Sequence, residues 1–153
     1  MVRIFCLVLL ALGIYTFGQE EIAYPEPKEG FKRVDIKLPK IKNEDDYKVE
    51  INFSMMYEML DCEKGSFTMP DFETRYLKPP HAYPYYVIDK DIYDVVVRSK
   101  GTCGAKKVRK KIYSSKPILI EYSSIFTYRY YVPENMNVEY RIWKAEPNYI
   151  EVK

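Results

Sequence analysis

Apolar and polar residues alternate along much of the chain. In residues 34–38 and 48–53, apolar side chains are separated by single charged or amide side chains. A period of two is typical of β-strands that bury one face and leave the other in water. The pattern therefore predicts a strand in each segment, with the polar side chains of residues 48–53 on the solvated side.

The same period returns in the second half of the chain, in residues 126–130 and 137–146. Residues 85–88 and 95–97 are shorter runs rich in aromatic and β-branched side chains, which also favour strands. No convincing helical period occurs after the first 18 residues, and no repeat is visible. These patterns predict a mostly β fold with antiparallel strands in a single domain.

The only tryptophan, Trp143, belongs to the predicted strand 137–146, on the face that also carries Glu139 and Arg141. A large aromatic side chain on a polar face often marks a surface that contacts a partner. Packing beneath a loop of the same chain is the alternative interpretation.

Two segments depart from the alternating pattern. Residues 63–84 contain Gly65 and four prolines, which predicts a long irregular connection. Residues 106–111 are almost entirely basic, which favours a solvated edge strand or hairpin arm over a site for phosphates or heparin-like polymers.

The first 18 residues have the pattern of a secretory signal. A basic residue at Arg3 precedes an apolar stretch, and small residues near Gly18 precede the charges Glu20 and Glu21. The apolar stretch is too short for a comfortable membrane span. We therefore expect residues 1–18 to be removed and residues 19–153 to form one exported domain, periplasmic or extracellular.

Composition and missing motifs exclude several function classes. The 24 Lys and Arg residues against 22 Asp and Glu residues give no strong field for nucleic acid or for a membrane surface. With one histidine, His81, and no nucleophile elbow, phosphate loop or metal-ligand spacing, neither an enzyme nor a metal or other cofactor is indicated. A binding function is what remains.

Cys62 and Cys103 are the two cysteines that follow the predicted signal. Two cysteines in an exported chain are expected first to form a disulfide, because the compartment outside the cytoplasm is oxidising.

Residues 95–103 are a β-branched run followed by Arg98, Ser99, Lys100, Gly101, Thr102 and Cys103. An extended run that ends in a basic residue, a glycine and a tethering cysteine is typical of a loop that mimics a protease substrate. A trypsin-like protease would take Lys100 in its acidic pocket while the neighbouring backbone pairs with the enzyme. On the local sequence alone, an ordinary strand and turn is the favoured interpretation.

Residues 131–146 carry a distinctive segment that resembles the ecotin family of exported serine protease inhibitors. Matching blocks keep their order over most of the chain, at residues 24–25, 30–33, 48–50, 61–62 and 85–89.

The resemblance implies an antiparallel β-sandwich or barrel and a bridge between Cys62 and Cys103. It implies a specificity residue three positions before the second cysteine, which is Lys100, with the scissile bond between Lys100 and Gly101. The implied reactive loop consists of Val97, Arg98, Ser99, Lys100, Gly101 and Thr102. Relatives often carry methionine there and inhibit proteases of several specificities. A lysine implies a preference for trypsin-like enzymes, because its charge is paired only in an acidic pocket.

The resemblance also implies a homodimer that exchanges C-terminal strands, with Trp143 in the dimer interface. A second protease-binding surface would draw on residues 81–84 and 121–125, where the family's usual Trp-Gly pair and its basic and amide residues are replaced.

The sequence therefore predicts a non-enzymatic inhibitor of trypsin-like serine endopeptidases that acts through a disulfide-tethered loop. The alternative is a secreted, non-inhibitory binding module on the same fold, which would use its tyrosines or residues 106–111.

Overall fold

Ten strands in two sheets make up the part of the chain described by a computed structural model. The description covers residues 23–88, 94–99, 101–102, 104–146, 148 and 150–152. In chain order the strands are β1 (Phe31–Lys37), β2 (Tyr47–Leu60), β3 (Glu63–Phe67), β4 (Glu73–Tyr76), β5 (Pro84–Val87), β6 (Val95–Ser99), β7 (Lys107–Ser114), β8 (Ile118–Glu121), β9 (Thr127–Pro133) and β10 (Met136–Lys144). A single 3-10 turn (Glu44–Asp46) precedes β2, and no described helix is long or apolar enough to cross a bilayer.

The smaller sheet has the order β1-β9-β5-β4, and the larger has the order β10-β2-β7-β3-β6. Neighbours are antiparallel except β5 with β9 and β3 with β7, which run parallel. The 14-residue β2 organises the larger sheet, because β10 pairs along one of its edges while β8 and β7 follow each other along the opposite edge. The prediction of a mostly β, single-domain fold is confirmed, and the two separate sheets make it a sandwich.

The core lies between the sheets and follows the predicted alternation. Val49, Ile51 and Phe53 of β2 are completely buried. The Phe53 ring lies 5.8 Å from the ring of Tyr130 on β9 in the facing sheet, and 5.0 Å from the ring of Phe72. Burying one such side chain stabilises the fold by about 1.5–3 kcal/mol, so these three side chains of β2 contribute substantially to cohesion between the sheets.

The prediction of an irregular connection in residues 63–84 is wrong in part, because β3 and β4 both lie there. Their own sequences carry little apolar pattern, and each is held mainly by its neighbour. β3 pairs with β6, and β4 pairs with β5. A strand stabilised by its partners gives a weak signal in its own sequence.

The prediction that the polar face of β2 is solvated is also wrong in part, because some of its side chains are buried. Glu50 is only 9% exposed and Ser54 is fully buried. The side chains of β10 lie over this face, where Glu139 accepts a hydrogen bond from the Ser54 hydroxyl at 2.5 Å. Asn52 is half-buried, and its Oδ1 accepts a hydrogen bond from Ser114 Oγ at 2.6 Å.

Candidate functional site

Strand β6 presents the predicted reactive loop at one edge of the larger sheet. It pairs with β3 so that Ser99 lies opposite Glu63 and Arg98 lies opposite Lys64. Its side chains are largely exposed, with Val97 37% exposed. Within the described part of the chain no strand pairs with the other side of β6. Its backbone is therefore available for addition of a strand from a partner.

The chain turns directly after β6. Gly101 has a φ of 86°, in the left-handed region that glycine occupies without strain, and no described atom would crowd a Cβ there. Gly101 and Thr102 are both exposed. Lys100 and Cys103, the predicted specificity residue and tether, lie outside the described residues.

Gly65 fixes where the β3–β6 pair sits. A Cβ at this position would lie 2.7 Å from Met59 Cε and 3.0 Å from Ile112 Cγ2, so β3 approaches β2 and β7 too closely for a side chain. In the sequence alone, Gly65 is visible only as a break within a segment expected to be irregular. Its role in close strand packing becomes visible only when Met59 and Ile112 are brought beside it.

The short turn between β2 and β3 carries Cys62, which is exposed. The residue before it, Asp61, donates its backbone N–H to the carbonyl of Lys106 at 3.0 Å. The residue after it, Glu63, pairs with Ser99. Cys62 thus lies between two contacts to the chain on either side of the predicted loop.

Lys110 binds this turn from β7. Its Nζ donates to the carbonyl oxygens of Asp61 and of Glu63, the latter at 3.1 Å, and lies 3.8 Å from the Asp61 carboxylate. The Glu63 carboxylate in turn accepts the backbone N–H of Leu60 at 2.7 Å. Lys110 therefore ties the strand that follows the loop to the turn that carries Cys62. This role of Lys110 was not predicted, because nothing in the sequence distinguishes Lys110 from the other residues of the basic run.

Residues 107–111 of the basic run form the first half of β7. This strand has β2 on one side and meets β3 only at its far end, at Tyr113 and Ser114. Two of its exposed cations have carboxylate partners. Lys107 lies 3.4 Å from Glu58, and Lys111 lies 2.5 Å from Glu139.

Strand β10 forms the opposite edge of the same sheet and carries Trp143, which is 48% exposed. Glu50 Oε2 accepts hydrogen bonds from the Trp143 indole N–H and from the Arg141 guanidinium, both at 2.8 Å. The bond from Arg141 is the main reason why the pKa of Glu50 lies below its ordinary value, although burial opposes the shift. Similarly, hydrogen bonds from Lys111 and then Ser54 lower the pKa of Glu139.

These carboxylates line a shallow polar cavity of about 360 Å³ on the outer face of the larger sheet. Both have protein partners, so neither is an uncommitted acid or base. Among the described residues no cluster of three or more His, Cys, Asp or Glu side chains has the arrangement of a metal site.

Residues 81–84 and 121–125, which the family resemblance links to a second binding surface, lie side by side. Tyr83, Pro84 and Ile125 line one groove of about 420 Å³ together with Phe126 and other side chains of β5 and β9. Ile125 is 83% exposed and Phe126 is 49% exposed. The groove is mainly aromatic and apolar, with Arg129 also in its lining, and it lacks the Trp-Gly pair and the basic and amide residues that the family resemblance implies.

Comparisons with known proteins agree with this architecture. A family model described as Ecotin matches residues 20–145. An ecotin from Pseudomonas fluorescens is 29% identical over 144 residues, covering 90% of this chain and 85% of the relative. A protein of Methylobacillus flagellatus, named as ecotin-like, is 24% identical over 125 residues, covering 82% of this chain and 76% of the relative. The chain therefore belongs to the ecotin family, whose members are exported protease inhibitors rather than enzymes.

Proposed function

We propose that this protein inhibits trypsin-like serine proteases by inserting residues 97–102 into the active-site cleft as a substrate would, with Lys100 in the specificity pocket. The observation that carries the proposal is the position of β6. It is an exposed edge strand that ends one residue before Lys100, and its outer backbone edge is unpaired within the described chain. Strand addition by β6 would align Lys100 with the pocket.

The charge of Lys100 supports the preference for trypsin-like targets. An ammonium group is stabilised by the carboxylate of an acidic pocket, whereas burying it unpaired in an apolar pocket is costly. Arg98 is a competing basic residue, but the spacing to the second cysteine favours Lys100.

Resistance to hydrolysis would come from a loop held on both sides. On one side, β6 is paired with β3. On the other, we propose a disulfide between Cys62 and Cys103, supported by the contacts of Asp61 with Lys106 and of Glu63 with Ser99 that flank Cys62. Such constraint lowers the ordering cost of binding and keeps newly cut ends together.

We further propose that residues 1–18 are a cleaved signal and that the mature protein is a periplasmic or extracellular homodimer. The β10 edge supports dimerisation, since it is unpaired on one side within the described chain and presents the half-exposed ring of Trp143. A paired β10 edge would cover apolar and aromatic surface that water now contacts.

The direct test is a titration of trypsin, chymotrypsin and elastase with the purified protein. The proposal predicts stoichiometric inhibition of trypsin and much weaker inhibition of the other two. A Lys100→Leu variant should reverse the order of trypsin and chymotrypsin, because it exchanges the charge for an apolar side chain of similar reach. Equal inhibition of all three enzymes, or an unchanged order in the variant, would contradict the assignment of Lys100.

The exposed aromatic groove favours the alternative of a non-inhibitory binding module. The basic run supports that alternative poorly, because Lys107, Lys110 and Lys111 already have carboxylate partners. If micromolar protein inhibits none of the three enzymes, the binding module becomes the better account. Salt-sensitive retention on heparin would then support the basic run as its binding surface.

A further inference from the structure

The β3–β6 pair contains an unfavourable arrangement of charge. Lys64 and Arg98 lie directly opposite each other in the ladder, so both side chains are on the same face of the sheet. Like charges in directly opposed positions destabilise a strand pair. Both side chains are exposed, and no described carboxylate lies within 4 Å of either.

The carboxylates at the end of β2, in the β2–β3 turn and at the start of β3 contact other groups. Glu58 lies 3.4 Å from Lys107, and Asp61 lies near Lys110. The carboxylate of Glu63 accepts the backbone N–H of Leu60. The positive charge of the Lys64–Arg98 pair is therefore left for a partner to neutralise.

The pair also lies where a bound protease would be. Arg98 is only two residues before Lys100 in the sequence. Any enzyme that holds Lys100 in its pocket therefore places the rim of its cleft beside Arg98 and the neighbouring Lys64.

Resting on the proposed function, we propose that Lys64 and Arg98 form an electrostatic docking surface. This surface selects, among proteases with an acidic specificity pocket, those that also carry acidic residues at the rim of the cleft. The pair steers association with such enzymes and disfavours enzymes with a basic rim, because opposed potentials speed encounter and like potentials slow it. Lys100 would set the class of enzyme, and Lys64 with Arg98 would set the preference within that class.

The test is stopped-flow association of the full protein with an anionic and a cationic trypsin, which share the same kind of pocket but differ in surface charge. At about 20 mM salt the anionic enzyme should associate roughly tenfold faster, and the difference should shrink at about 300 mM salt as screening increases. The double variant Lys64→Ser, Arg98→Ser should lose most of this difference.

A matched control is the double variant Lys37→Ser, Lys42→Ser. It removes the same net charge from exposed positions on β1 and before β2, away from the turn that carries Cys62. This control should keep most of the difference between the two trypsins. Equal effects of the two double variants would overturn the proposal, because they would reduce it to an effect of net charge.

Equal association of the wild-type protein with both trypsins would also overturn it. Retention on heparin that is lost in the Lys64 and Arg98 variant, with unchanged association rates, would reassign the pair to a polyanion. Failure of the proposed function can be distinguished from failure of this inference alone. In that case neither trypsin is inhibited, and this inference is rejected together with the proposed function.

Discussion

At one edge of the larger sheet the polar side chains of β10 bind one another and β2, whereas at the other edge the side chains of β6 are exposed to solvent. Glu50 and Glu139 each accept two hydrogen bonds at the β10 edge. Among the described residues, Arg98 on β6 has no comparable partner. The β6 edge takes its order from the backbone ladder with β3 and from the turn that carries Cys62.

The difference between the β10 and β6 edges shows how a small domain can use some side chains for stability and others for binding a partner. Side chains that stabilise the protein internally are not available to a partner, and side chains left for a partner contribute little to stability. At the β6 edge the backbone and the tether would carry the structural role, so the side chains are free to determine specificity.

The largest expected effect comes from removing the proposed tether at the β6 edge. The double variant Cys62→Ser, Cys103→Ser should lose about 4 kcal/mol in the free energy of unfolding, as the chain-entropy model predicts for a loop of this size. It should also be hydrolysed by trypsin as an ordinary substrate. Urea unfolding and the rate of loop cleavage measure the two effects, and reduced wild-type protein is the control. Unchanged behaviour in both measurements would contradict the tether.

The next effect is specific to the β10 edge and depends on pH. Because hydrogen bonds lower the pKa values of Glu50 and Glu139 below 4.5, the stability they contribute is present above that pH and is lost as the pH falls below it. The melting temperature should therefore fall more between pH 7 and about 3 in wild-type protein than in the variant Glu50→Gln, Glu139→Gln.

A control that replaces the exposed Glu29 and Glu146 by glutamine should keep the acid dependence of the wild type. If both double variants lose the acid dependence of the melting temperature to the same extent, the hydrogen bonds to Glu50 and Glu139 are not the cause of that dependence.

A smaller effect is expected from crowding the strands beneath the β6 edge. Gly65→Ala would force Met59 Cε and Ile112 Cγ2 away from the new Cβ, at a cost of about 1–3 kcal/mol in the free energy of unfolding. The lower end of the range is expected, because the nearer atom is the end of a flexible methionine side chain. Gly104→Ala is the control, with no described atom within 4 Å of its Cβ. Equal stability of the two variants would contradict the close approach.

The smallest effect on stability is expected from Lys110. Lys110→Met keeps the stem of the side chain but removes the hydrogen bonds to the carbonyls of Asp61 and Glu63, at a cost of about 1 kcal/mol. The variant should let bound trypsin cleave the loop faster, because the turn that carries Cys62 loosens. Lys107→Met removes a more exposed pair with Glu58 and should leave the cleavage rate unchanged. Equal cleavage rates in the two variants would show that Lys110 does not position the loop.

The sequence predicted those parts of the structure that depend on local periodicity. The alternation in residues 48–53 predicted the buried face of β2, whose Val49, Ile51 and Phe53 are fully buried. It also identified the strand β6 that leads to Lys100. These features are visible because burial of one strand face leaves a period of two in the chain.

What the sequence did not predict depends on contacts between distant segments. Glu50 looked solvated because nothing near it in the chain indicates that Trp143 and Arg141 cover it. Strand β3 looked irregular because β6 and the glycine contact with Met59 hold it in place. Lys110 could not be distinguished within a basic run until the turn at Asp61 was placed beside it.

The central claim is that Lys100 is the residue held in the protease pocket, and the most direct measurement compares trypsin inhibition by Lys100→Ala and Arg98→Ala. As a central anchor, Lys100 should contribute about 2–5 kcal/mol, so its replacement should weaken inhibition by roughly 30- to 5000-fold. Arg98→Ala should weaken inhibition far less. Inhibition that survives loss of Lys100 but fails with loss of Arg98 would contradict the account.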